Sequence, residues 1–257
     1  MKVADFVINK INRLPKGYVF TYMDFIAEVD KREAIIKAIN RMASNGRIIK
    51  LSKGKYYKPE KTPFGDLLPD KYEIVKDLLE DGDKVIGYLT GLSIYNDLKL
   101  STQISNVIEI GRKDAKPTTR RERYKIKFLV QKNTITKDNI PLLQILDAIK
   151  NINKIPDSTV ASSFNRLKSI IISLSEIEVN TIVRLCLKYP PSTRALLGAL
   201  LESIQMGNNI KLIITLQSSL NPITKYEYKN LSKEYNINPR WNIVWGYTKT
   251  NNYSDRL

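Results

Sequence analysis

Residues 21–58 read TYMDFIAEVDKREAIIKAINRMASNGRIIKLSKGKYYK, and this stretch decides the fold of the N-terminal part of the chain. Asp30, followed three residues later by Glu33, forms a capping-box pattern that predicts the start of a helix. The apolar residues that follow recur at helical spacing: Ala34, Ile35, Ala38, Ile39 and Met42. Gly46 predicts the end of this helix, because glycine readily adopts the left-handed conformation of a C-terminal cap. We therefore predict a helix over 31–45 with one apolar side.

The segments before and after this helix predict further helices and a hairpin in a defined order. Thr21 is a suitable N-cap for a short helix over 22–28. Two short β-type runs, 47–51 and 55–58, are joined by Ser52-Lys53-Gly54, which suits a hairpin turn. An amphipathic helix over 2–13 comes first, and residues 18–20 can add a strand to the hairpin. Helix, helix, basic helix and basic hairpin predict a winged helix-turn-helix domain over 1–60, in which the last helix enters the DNA major groove.

The predicted DNA-binding residues lie on the polar side of helix 31–45 and on the hairpin. On the helix they are Lys31, Arg32, Lys37, Asn40 and Arg41. On the hairpin they are Arg47, Lys50, Lys53 and Lys55. A basic amphipathic helix alone is often only a solvated surface. Here the charge and the order of elements agree, which favours DNA binding.

The charge of the whole chain supports a polyanionic partner. The chain of 257 residues has a formal net charge of +16, which points to nucleic acid first and to an anionic membrane surface second. Residues 1–62 hold 14 Lys and Arg against 6 Asp and Glu, and the rest of the chain holds 28 against 20. The positive charge is therefore densest in the predicted DNA-binding domain.

A second basic patch follows further along, within the segment KPTTRRERYKIK at 116–127. Its basic residues are Lys116, Arg120, Arg121, Arg123, Lys125 and Lys127. The segment can be a solvated loop and strand edge, as charge runs commonly are. It can equally contact phosphates, and Tyr124 within it offers a ring on which a base could stack. The sequence leaves these two alternatives open.

Residues that would support enzymatic chemistry are scarce. The chain has no histidine, so the commonest metal ligand and general base is missing. Its one cysteine, Cys186, lies in an apolar run and is expected to be a buried structural thiol. Asp81 and Asp83 flank a glycine, a pattern more typical of a turn than of a metal site. We predict a protein that is not an enzyme, with no catalytic residues, no metal and no cofactor.

The start of the chain lacks the apolar region of a signal peptide, and no run is apolar enough to cross a membrane. These features predict a cytoplasmic protein without a membrane partner. The Pro- and Gly-containing segment 59–65 predicts the boundary to a second domain over 66–257. There the pattern predicts mixed strands and helices, including helices at 142–150, 157–170, 175–188 and 192–205 and a strand at 210–216. The fold class predicted for the whole chain is α+β, while the role of the tail 218–257 stays open.

Three motifs carry a resemblance to a known family. The pattern A-I-x-R-M-x-x-x-G-x-I-x-x-L-x-x-G-x-Y spans 38–56, GYLTGLS with a following LSTQ spans 87–103, and LKYPPSTRALLGALL spans 187–201. The chain resembles AbiEi-like antitoxins of bacterial type IV toxin–antitoxin and abortive-infection systems in these motifs, which are spread over most of its length.

The resemblance implies a function and partners. AbiEi-like antitoxins bind double-stranded DNA through the winged helix and repress their own operon. They counteract a nucleotidyltransferase-like toxin without a tight complex, and the C-terminal domain carries antitoxicity. The alternative is an RNA- or protein-interaction module that uses the winged helix as an adaptor and has no regulatory role. An enzyme acting on nucleic acid is a third possibility, but the sequence offers no residues for it.

Overall fold

The computed structural model describes residues 2–26, 31–204, 210–229, 231, 235 and 237–246. Its helices are α1 Val3–Arg13, α2 Met23–Ile26, α3 Arg32–Ser44, α4 Lys71–Leu79, α5 Leu92–Asp97, α6 Ile140–Lys150, α7 Val160–Ile172, α8 Glu176–Cys186, α9 Pro191–Ser203 and α10 Ile210–Ser218, with 3-10 turns at Ile152–Lys154 and Pro239–Trp241. Its strands are β1 Val19–Phe20, β2 Ile49–Ser52, β3 Lys55–Tyr57, β4 Glu60–Thr62, β5 Gly65–Leu67, β6 Glu80–Asp81, β7 Lys84–Val85, β8 Gly87–Thr90, β9 Val107–Arg112, β10 Thr119–Arg121, β11 Tyr124–Val130, β12 Tyr226–Lys229 and β13 Ile243–Gly246. The chain is a mixed α and β protein, as predicted.

The chain forms two compact units. The first unit comprises residues 1–82 together with 118–126, and the second comprises 83–117 and 127–257. The sequence predicted two domains, 1–60 and 66–257, which would place α4 and residues 118–126 in the C-terminal domain. In the structure, α4 and residues 118–126 belong to the first compact unit. Strand β11 runs from the first unit into the second.

The core of the first unit forms where α1 and α3 pack together over a small sheet. Ile35, Ile39 and Met42 of α3 are buried with Val7 and Ile11 of α1. The sheet has the strand order β1-β3-β2, with both neighbouring pairs antiparallel. The apolar stripe, the hairpin and the added strand of the N-terminal prediction are therefore confirmed.

The C-terminal end of α3 explains how the hairpin follows so closely. Gly46 has a φ of +66°, its N–H donates to the carbonyl of Ala43, and the N–H of Arg47 donates to the carbonyl of Met42. This pair of hydrogen bonds is a Schellman motif, which stops the helix and turns the chain towards β2. At the other end, the predicted capping box rests on Asp30, which lies outside the described residues. The short helix predicted over 22–28 is described as α2, and residues 27 and 28 also lie outside.

The second unit buries its apolar residues mainly between helices. α6 and α9 supply fully buried leucines, among them Leu143, Leu146 and Leu197, and α7 and α8 pack against them. β8 pairs antiparallel with β9, and the second half of β11 lies on the other side of β9. The four helices predicted between 142 and 205 are confirmed with small shifts of their ends.

The strand predicted at 210–216 is wrong, because these residues form the helix α10. The run contains adjacent β-branched residues, which favoured a strand. In the structure Leu212, Ile213 and Leu216 lie on one side of a helix and pack into the core of the second unit. Packing on α9 thus overrides the local preference.

The described parts of the tail pack against α9. Strands β12 and β13 pair in parallel, and the intervening Trp241 is fully buried. Its Nε1–H donates to Glu202 Oε2 at 2.6 Å. The indole ring fills the space beside Gly198 on α9, where a Cβ atom would overlap the ring. Residues 247–257 of the tail lie outside the described residues.

We therefore expect Gly198→Ala to destabilise the protein, although alanine normally favours a helix over glycine by about 1 kcal/mol. Overpacking against Trp241 should lower the free energy of unfolding by roughly 1–3 kcal/mol, measured by urea denaturation. In a Trp241→Leu background the same change should be neutral or stabilising. An equal loss in both backgrounds would contradict the proposed contact.

Candidate nucleic-acid interface

The helix α3 presents its polar side to solvent. Lys31, Arg32, Lys37, Asn40 and Arg41 are all exposed, opposite the buried stripe. Within the described part of the chain, the side chains of Lys31, Lys37 and Arg41 have no ion-pair or hydrogen-bond partner. These three cations therefore have no competing partner among the described residues.

Two of the five predicted helix residues have partners within the first unit. The Arg32 guanidinium lies over the ring of Tyr22, with 4.9 Å to its centroid. Asn40 Oδ1 accepts a hydrogen bond from the Tyr56 hydroxyl at 2.7 Å. Tyr56 belongs to β3, so this bond ties the exposed side of α3 to the sheet. The Asn40 amide N–H groups stay available as donors, while its oxygen is already engaged.

The hairpin β2–β3 carries the remaining predicted residues. Arg47, Lys50 and Lys53 are exposed, and Gly54 turns the hairpin with a φ of +76°. Lys55 differs, because only 17% of its side chain is exposed and its ammonium forms an ion pair with Asp77 of α4. Lys55 therefore holds the base of the hairpin to α4, whereas the other three cations face solvent.

The second basic patch is divided between the two units. Arg120, Arg121, Arg123 and Lys125 lie on the hairpin β10–β11 in the first unit. Lys116 and Lys127 belong to the second unit, where Lys116 lies 4.0 Å from Asp114. The basic segment that the sequence suggested as a single patch is thus divided between the first and second units.

Arg121 fastens the hairpin β10–β11 to α4. Its Nη2 donates to Asp77 Oδ2 at 2.8 Å, and its Nη1 donates to Asp77 Oδ1 and to the Ile74 carbonyl. Arg123 stacks on the neighbouring Tyr124 ring at 5.2 Å and also donates to its hydroxyl. Arg120 and Lys125 are exposed. Three members of this patch, Lys116, Arg121 and Arg123, therefore have internal partners.

Asp77 connects the two basic hairpins, since it pairs with both Lys55 and Arg121. Burial alone would raise the pKa of Asp77, but hydrogen bonds from Arg121 and Lys55 outweigh burial and hold that pKa below its ordinary value. Burial in turn lowers the pKa of Lys55, against the hydrogen bond to Asp77. Asp77 was not predicted from the sequence. It lies 44 residues from Arg121, and nothing local marks it.

Three further features concern the cysteine, possible metal ligands and membrane-spanning helices. Cys186 is fully buried, and burial raises the pKa of its thiol to about 12. Among the described residues, no group of three or more Cys, Asp or Glu side chains is arranged to hold a metal ion. No helix in the described part of the chain is long and apolar enough to cross a membrane.

The fold and this interface define a mixed α/β protein with a basic helix and hairpin on its first unit. The chain belongs to DUF6088, a family of unknown function whose model matches residues 6–171. No curated protein matches the chain. The fold is similar to the crystal structure of the RV2827C protein from Mycobacterium tuberculosis, with a TM-score of 0.57 and 13% identity over 93% of this chain and 89% of that one. At this identity the likeness concerns the fold alone.

We expect Asp77→Ala to lower the free energy of unfolding by about 1–2 kcal/mol, because two half-buried cations lose their shared partner. The effect is moderated by solvent, since 46% of the Asp77 side chain is exposed. Urea denaturation followed by circular dichroism measures the loss. Glu60→Ala is the matched control, because Glu60 pairs with an exposed lysine of the same unit and should cost less than about 0.5 kcal/mol. Equal losses in the two variants would contradict the connecting role of Asp77.

Proposed function

We propose that the first unit is a winged helix-turn-helix that binds operator DNA, and that the chain is an antitoxin repressing its own operon. The observation that carries the proposal is the orientation of α3. Its apolar side is buried against α1, so its basic side can only face solvent. The cations on that side that have no partner among the described residues are suited to a polyanion.

The order and size of the elements support DNA rather than a general basic surface. α2, α3 and the sheet β1-β3-β2 follow one another as in a helix-turn-helix with a wing. With 13 residues, α3 is about 20 Å long, which suits the major groove. The hairpin β2–β3 would then lie along the phosphates.

The contacts of the exposed residues support a separate proposed role for each group. Arg41 and Lys37, without internal partners in the described chain, are the residues best placed to reach base edges, because arginine and lysine pair with guanine. Asn40 would offer only its amide N–H groups while Tyr56 holds its oxygen. Arg47, Lys50 and Lys53 would contact phosphates, whereas Lys55 would position the wing through Asp77.

The remaining part of the proposal comes from the resemblance to AbiEi-like antitoxins. The second unit would counteract a nucleotidyltransferase-like toxin without a tight complex, while the first unit controls transcription. The presence of two compact units, each with its own apolar core, supports such a division of labour.

DNA binding predicts a strong dependence on salt. The full-length protein should bind the DNA upstream of its own gene more tightly than random duplex DNA or RNA, as measured by fluorescence anisotropy. With six to ten phosphate contacts, the affinity should fall by about 10³–10⁵-fold between 50 and 200 mM salt. Lys37→Ala/Arg41→Ala should weaken operator binding by roughly 30-fold or more, since one base contact contributes about 1–3 kcal/mol.

Lys154→Ala/Lys211→Ala is the matched control, because it removes two exposed cations from the second unit. Its operator affinity should stay within about twofold of the unmodified protein. Equal weakening in the two double variants, or a flat response to salt, would refute a specific interface on α3. Preference for RNA over the operator would favour the RNA-binding alternative.

Antitoxicity should be separable from DNA binding. In cells that also express the nucleotidyltransferase-like toxin of the same operon, Lys37→Ala/Arg41→Ala should protect growth as well as the unmodified antitoxin, while expression from the operon promoter rises. Both proteins should be expressed from a promoter that the antitoxin does not control. Loss of protection by this variant, at normal protein level and with normal thermal unfolding, would contradict the division between the units.

A further inference from the structure

The second unit contains a cavity that the proposed DNA interface does not use. Its volume is about 680 Å³, within the range of small-molecule sites. The walls come from β8, the end of β11, the C-terminal half of α6 and the segment that leads into α9. A cavity of this size could hold a ligand well beyond the volume of a single inorganic ion.

Four cations line this cavity: Lys132, Lys150, Lys188 and Arg194. In the part of the chain that the structure describes, no ion pair or hydrogen bond engages the three lysine ammonium groups. A lysine at the end of a helix is common, and Lys150 is the last residue of α6. That explanation covers Lys150, but it does not explain why four cations converge on one concave surface.

The acid that lines the cavity, Asp147, does not neutralise them by ion pairing. Asp147 is 6% exposed. Its carboxylate accepts hydrogen bonds from the hydroxyls of Tyr88, Thr90 and Tyr189 at 2.8–2.9 Å. Gln131 in turn donates to the hydroxyls of Tyr88 and Tyr189. The acid is thus held by hydrogen bonds in the cavity wall, and the charge of Lys150 acts on it. Lys132 and Lys188 have no partner among the described residues.

The N-terminus of α9 adds to the positive potential. A helix start usually carries acids, since its N–H groups form the positive end of the helix dipole. The first turn of α9 has no acid, and Arg194 lies directly after it. Arg194 Nη1 donates to the Ser219 carbonyl at 2.7 Å, while its buried Nε–H has no hydrogen-bond partner among the described residues. Pro190 and Pro191 have no N–H group, and the Arg194 backbone N–H donates to the Pro190 carbonyl at 3.2 Å. The start of α9 therefore contributes its helix dipole and the charge of the Arg194 guanidinium, rather than N–H contacts.

Apolar groups line the same cavity, among them Leu129, Leu187, Pro190 and Pro191. Basic side chains suit a phosphate, and an apolar wall suits a flat ring. We propose that this cavity binds a phosphorylated small molecule with a ring system, a mononucleotide. The phosphates would lie at Lys188 and Arg194, and the ring would contact the leucine and proline side chains.

Calorimetric titration of the full-length protein with ATP, GTP, CTP and UTP tests the site, with pyrophosphate as a probe of the phosphate contacts alone. We expect saturable binding of at least one nucleotide, and weaker binding of pyrophosphate because it lacks the ring. Lys132→Ala/Lys188→Ala should weaken nucleotide binding at least tenfold. Both lysines are exposed, so thermal unfolding should be unchanged.

Lys154→Ala/Lys211→Ala is again the matched control and should bind the nucleotide normally, since neither residue lines the cavity. Absence of saturable binding at millimolar concentrations of all four nucleotides would overturn the proposal. So would equal weakening in the two double variants. A short single-stranded oligonucleotide that binds where mononucleotides do not would also overturn it and would identify a nucleic-acid end as the ligand.

The site is independent of the proposed DNA interface. Lys37→Ala/Arg41→Ala should bind nucleotide with the affinity of the unmodified protein. Lys132→Ala/Lys188→Ala should bind operator DNA with the affinity of the unmodified protein. Failure of the unmodified protein to bind operator DNA would therefore not contradict the nucleotide site. Failure to bind nucleotides would likewise not contradict the proposed DNA interface.

Discussion

The burial of Ile35, Ile39 and Met42 against α1 is the constraint on which the interface depends. A helix places residues three and four apart on one side, so fixing that stripe in the core fixes the opposite side in solvent. The cations of α3 do not need to be held outward by contacts of their own. Loss of this packing would free α3 to rotate, and the basic surface would no longer have a defined orientation relative to the hairpin β2–β3.

Asp77 adds a second constraint that acts across the sequence. One carboxylate pairs with Lys55 of the hairpin β2–β3 and with Arg121 of the hairpin β10–β11. A segment that is remote along the chain is thereby made part of the first unit. The exposed cations on the two hairpins, such as Lys53 and Arg120, then belong to one compact body, while the two paired cations serve its internal structure.

Sequence patterns were sufficient for elements whose cause is local. The helix end at Gly46, the hairpin turn at Gly54 and the apolar stripe of α3 each depend on neighbouring residues, and each was predicted. The helix α10 was missed because its β-branched run favours a strand until packing on α9 is known. Asp77 and the network around Asp147 could not be predicted, because their partners lie between 22 and 59 residues away. The tertiary fold brings these side chains together, and no local spacing in the sequence indicates the contacts.

The two groups of cations differ in the shape of the surface that bears them. On α3 and the hairpin β2–β3 they stand on convex elements in contact with water, where each contact with a phosphate is weak and screened by salt. Affinity there requires many phosphates at once, which a nucleic-acid duplex supplies through counterion release. In the cavity of the second unit, the cations converge on a concave surface with apolar walls, where the field is focused and fewer charges suffice. The same excess of lysine and arginine is therefore suited to a polymer on one unit and to a single small anion on the other.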